Sequence, residues 1–200
     1  MSEVFTTEIE VLDNGPGVWA TAKVVILQNV DGVARKIGSY SRNHSGWCDS
    51  TFYPFMQKGQ WYALYSPDYT TTRVMELPSC KDIAGEEHAS NGFCPVDFYV
   101  PFEDPHVIKA DHAGCFGFVA GCIWGDDSSW KIQYLDLSKI TSGCIVRKEL
   151  FGYAAMPART KRLSECVSLD YYAPPTYPRI DLSVEIAFDL TTGKQYDPYE

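Results

Sequence analysis

The sequence is short of positive charge. Its 200 residues hold 17 Lys and Arg against 26 Asp and Glu, a formal net charge of -9. The deficit is even, with 7 basic against 12 acidic side chains in residues 1–100 and 10 against 14 in residues 101–200. The one close cationic group is Arg159, Lys161 and Arg162. Gripping a phosphate backbone takes several cations acting together, so nucleic acid is not an expected partner. Long apolar runs are missing too. The longest uncharged apolar stretch, Ala113 to Gly125, has 13 residues, short of the roughly 20 that span a bilayer. No membrane partner is expected.

Catalytic and ligand-cradling signatures are equally absent. There is no G-x-x-x-x-G-K-[ST] loop, no G-x-G-x-x-G, no H-E-x-x-H and no G-x-S-x-G elbow. The seven cysteines (Cys48, Cys80, Cys94, Cys115, Cys122, Cys144 and Cys166) include no C-x-x-C pair, the spacing by which structural zinc sites usually bring their ligands. Glu86, Glu87 and His88, or Asp111 and His112 with Cys115, are possible ligands only as scattered loop residues. No metal and no cofactor is expected. The first eleven residues carry Glu3, Glu8 and Glu10 and no cation, unlike the start of a secretory signal. Reduced thiols in the cytoplasm are the expectation.

What the sequence does have is alternation. Runs rich in Val, Ile, Tyr, Phe and Trp with period 2 predict strands near residues 7–11, 21–28, 36–41, 51–56, 60–66, 72–77, 97–100, 116–124, 130–137, 144–149, 165–171, 181–190 and 194–196. In 116–124 both faces are apolar, as in a strand buried on two sides. Helical signals are confined to Lys81–Ala89, two turns at most, and Pro157–Glu165. Pro54 and Pro95 are expected in loops or at strand ends rather than in central strands. Pairing of the N-terminal strand with residues 181–196 would close the structure.

A repeat is also visible. QWYALYSPDYTTTRVMEL (residues 60–77) and GFVAGCIWGDDSSWKIQYLDL (residues 117–137) each run strand, Asp-bearing turn, strand, and end in an apolar, acidic, Leu pattern. The stretch FYPFMQKGQWYALYS (residues 52–66) resembles the inner-strand, turn, second-strand pattern of blades in β-propeller proteins. No linker-like composition shift divides the chain, so a single all-β domain over residues 1–200 is expected, and the resemblance implies a small propeller-like array of antiparallel sheets with four or five blades. A β-sandwich or an open barrel is the alternative.

Three groups of residues offer chemistry. RNHSGWCD (residues 42–49) supplies Arg42 for an anion, Trp47 for stacking, and His44 and Asp49 for hydrogen bonds, in a loop after a strand. Asp126 and Asp127 sit in a turn beside Trp124, and Asp68 occupies a similar turn between tyrosines. Carboxylates next to aromatic rings suit a polyhydroxylated ligand, whose apolar face stacks while its hydroxyls donate. The expected function is recognition of a small polar ligand, sugar-like or anionic, or of a protein partner. The alternative is a glycoside-type hydrolase working through paired carboxylates in a central pocket, with Asp49, Asp68, Asp126 and Glu149 as formal candidates. No residue is assigned a catalytic role.

Overall fold

A computed structural model describes residues 4–12, 21–43, 52–68, 70–86, 92–101, 113–123, 126–149, 167–170, 177–181, 185–188 and 195–196. Strands dominate, and among the described residues there is no α-helix. The first sheet is a meander of β1 (Phe5–Val11), β2 (Thr21–Val30) and β3 (Val33–Asn43). The second holds β4 (Phe52–Gln57), β5 (Gln60–Tyr65), β6 (Arg73–Glu76), β7 (Lys81–Glu86), β8 (Phe93–Tyr99), β9 (Phe116–Ile123), β10 (Asp126–Asp136) and β11 (Cys144–Glu149). A four-stranded sheet follows, of β12 (Val167–Asp170), β13 (Tyr177–Asp181), β14 (Glu185–Phe188) and β15 (Gln195–Tyr196).

The eight-stranded sheet has the order β4-β5-β6-β7-β11-β10-β9-β8. It consists of two antiparallel meanders, β4 to β7 and β8 to β11, joined through parallel pairing of β7 with β11. The repeat in the sequence falls on equivalent places, the second and third strands of each meander. The sheet curls until β4 and β8 touch, with Tyr53 and Tyr99 meeting edge to face across the gap at 6.2 Å between ring centres. The result is nearly a closed barrel. The all-β expectation holds, and the open barrel fits this sheet.

Period 2 sorts the side chains. In β5, Tyr62 and Leu64 point into the barrel and join a core with Phe55, Val74, Phe98, Val119 and Leu135. Their neighbours Ala63 and Tyr65 point outward and are buried instead under the three-stranded sheet, with Phe5 and Ile26. Phe5 packs on Trp61, and Tyr40 of β3 lies 4.8 Å from Tyr65 between ring centres. In β9, residues 116–121 are all buried, as their two apolar faces predict. Tight turns set two hairpins. Asp31-Gly32 and Lys58-Gly59 each carry two successive positive φ angles, the geometry whose twist matches paired strands.

Three expectations are corrected. Lys81–Glu86 forms strand β7 rather than helix, because its backbone pairs with β6 on one side and β11 on the other. Pro54 and Pro95 lie inside strands rather than at strand ends, but both avoid central strands as expected, since β4 and β8 are the two end strands of the sheet, where a missing N–H on the open side costs no ladder bond. Among the described residues β1 pairs only with β2, and residues 181–196 pair within the third sheet. No described helix is long and apolar enough to cross a membrane.

Candidate functional site

Strand direction gathers several elements at one end of the barrel. At that end β4, β6, β8 and β10 begin, and β5, β7, β9 and β11 finish. The opposite end is filled. There Gln57 turns inward and its Nε2 donates to the carbonyls of Gly114 (2.9 Å) and Leu137 (3.1 Å), while Ile140, in a 3-10 turn, completes the core.

The first end adds charged side chains to an interior that is otherwise mostly apolar. Ile145 belongs to the barrel core, and Arg147, two residues on in β11, shares its face. Its Nη2 donates to Glu86 Oε2 at 2.8 Å, and its guanidinium carbon stands 4.8 Å from the centre of the Phe93 ring. Both side chains of the pair are withdrawn from water, Glu86 to 4% exposure and Arg147 to 12%. Gln133 in β10 faces Val119, a core residue of β9, and is 4% exposed.

Burial pushes the Glu86 carboxyl above the ordinary glutamate range; the Thr72 hydroxyl and Arg147 oppose that rise, and the Asp68 carboxylate adds to it. The Thr72 hydroxyl lies close to this carboxyl, yet neither its Oγ1 nor Glu86 Oε1, both buried, has a partner in hydrogen-bond geometry. The Oε1 of Gln133 is in the same condition. Both Oε1 atoms are acceptors, and a buried acceptor left unmatched costs about 1–3 kcal/mol. These two atoms can accept N–H or O–H donors, and beside them stand the buried Thr72 hydroxyl, which can donate or accept, and one fixed guanidinium.

Asp68 sits in the β5–β6 connection, where Oδ1 accepts from the Thr70 and Thr71 backbone N–H groups and Oδ2 from the Thr71 hydroxyl. It shapes its own turn and still acts electrostatically on Glu86. Arg42 belongs to β3 rather than to a loop, because it pairs with Ala22, and it is 6% exposed. It follows Tyr40 on the same face, close to where β5 finishes. Asp126 and Asp127 open strand β10 instead of forming a free turn, since Asp126 pairs with Ile123 and the register then shifts before Trp130. His44, Trp47, Asp49 and Trp124 lie outside the described residues, between β3 and β4 or β9 and β10. Thus Asp68, Asp126 and Asp127 share one end of the barrel by topology.

Sequence reasoning missed Arg147 and Gln133 and read Glu86 only as a loop acid. The available signal was parity. In CIVRKE, Arg147 holds the same alternation phase as Ile145, a charged residue at a core position. Among the described residues no three His, Cys, Asp or Glu side chains cluster as a metal site would require. No protein-family model, no curated protein and no solved structure matches the chain.

Proposed function

We propose that this chain is a non-enzymatic binding protein that takes a small, hydroxyl-rich polar ligand at the polar end of its eight-stranded barrel. The observation that carries the reading is the pair of buried acceptors, Glu86 Oε1 and Gln133 Oε1, without protein donors. Of the sugar-like and anionic ligands the sequence suggests, the sugar-like one brings several hydroxyl donors for these atoms, where a small anion brings few. Small barrels of eight strands either fill with side chains or hold one small ligand. Here the middle and one end are filled. The frame is an open barrel rather than four or five propeller blades, because blades are separate sheets and β4 to β11 form one. A cytoplasmic setting suits the cysteine-rich, C-x-x-C-free sequence.

Thermal-shift and NMR titrations with glucose, galactose and inorganic phosphate test the proposal. Monosaccharide should raise the melting temperature and move amide signals of β7, β10 and β11, and Gln133→Leu should weaken that response at least tenfold. Phosphate should do neither. A silent titration with all three, or shifts confined to the opposite end, sinks the reading.

A hydrolase is the second reading, favoured by one observation: Glu86, with its raised pKa, lies within electrostatic reach of a second carboxylate, Asp68. It requires turnover of an aryl glycoside that Glu86→Gln abolishes and Gln133→Leu merely slows.

A further inference from the structure

The register between β8 and β9 places Cys94 directly opposite Cys122. Residues opposed in an antiparallel pair have Cα atoms about 4.5 or 5.5 Å apart, according to their place in the ladder. Both separations fall inside the roughly 4.4–6.8 Å that a disulfide spans. Opposed residues also share a face of the sheet. The β8 backbone runs close to β9 at this point, because a Cβ on Gly121, the residue before Cys122, would collide with the Cys94 carbonyl. The other described cysteines have no such partner. Cys80 occupies the turn between β6 and β7, Cys115 precedes β9, and Cys144 faces Gly85.

We propose that Cys94 and Cys122 form a redox-sensitive pair, closing into a reversible cross-strand disulfide when the protein meets a small disulfide oxidant of the glutathione type. Cys94 is only half-buried, its thiol resting against the Gly92 carbonyl at 3.6 Å. It lies in an end strand of the sheet, so reagent approaches without first breaking a ladder on the far side. One thiolate attacks the glutathione disulfide, forming a protein–glutathione bond and releasing one glutathione thiolate. The second cysteine's thiolate then attacks the protein sulfur of that bond and releases the other. The two protein thiols lose two electrons and two protons, and both glutathiones leave as thiols. The new bond sits next to Phe93, whose ring carries the Arg147 guanidinium, so it would pin the strand end that borders the polar site.

Incubating the full chain with oxidised glutathione and mapping peptides by mass spectrometry tests this. The expected product is about 2 Da lighter than the starting protein, links the peptides of Cys94 and Cys122, and reverts with dithiothreitol. Cys94→Ser and Cys122→Ser should each prevent the link, and the remaining cysteine of the pair should accumulate a stable glutathione adduct in at least one of them. Cys80→Ser should change nothing. A wild-type protein that keeps glutathione on either cysteine without linking them, that links Cys94 to another cysteine, or that reacts at neither position overturns the proposal.

Discussion

Glu86 bears a cost that its neighbours only partly offset. Removing a carboxylate from water disfavours its charged form, and the Arg147 contact at 2.8 Å recovers part of that loss. The pH dependence follows from the sign. Because the folded-state pKa is raised, folding favours protonated Glu86, so its stabilising contribution is full below the ordinary value of 4.5 and is lost as pH climbs through the raised one. Glu86→Gln cannot titrate. The stability of wild type relative to this variant should therefore fall as pH rises above 4.5, as chemical denaturation at a series of pH values would reveal. A flat difference across that range would contradict the account. None of this was readable from composition, because Lys81–Glu86 (KDIAGE) contains one strongly β-favouring residue, Ile83, and reads locally as polar helix or loop. Its strand state comes from two neighbouring strands, and those contacts are invisible to a window of six residues.

At the scale of elements the sequence was legible wherever alternation and turn chemistry agreed. Phe52 to Tyr65 is the clearest case: apolar alternation on both sides of Lys58-Gly59 predicts a hairpin, and β4 and β5 pair from Phe52–Tyr65 to Gln57–Gln60. Residues 181–190 show the opposite. Their apolar residues read as one strand, yet Asp181 of β13 pairs with Glu185 of β14 and the two strands run antiparallel. The β4–β5 turn also carries a correctable flaw. Lys58 holds φ at 50°, a left-handed conformation that Asn adopts more readily than Lys. Lys58→Asn should stabilise the protein by about 0.5 kcal/mol, within the few tenths to 1 kcal/mol typical of relieving such a position. Urea denaturation would register it as a higher midpoint with unchanged slope.

The molecule as a whole depends on a pairing that no local signal announces. Parallel contact of β7 with β11, only two residue pairs long, joins the two meanders into one sheet. It brings the Asp68 connection, Glu86 and the start of β10 to one end, which is why the carboxylates could be named individually from sequence but not grouped. On the far side the sheet ends on β4 and β8, which meet through side chains such as Tyr53 and Tyr99 without entering a common ladder. Outward-facing amides of these two strands should exchange with deuterium faster than those of β5 and β9 inside the sheet, and equal protection would mean that the barrel is closed by backbone bonds after all. Two exposed ladders would ordinarily recruit strands from other molecules. Pro54 and Pro95 remove one donor from each, and the register shift after Pro95 bends the second. The seam can thus stay open without becoming a template for fibril growth.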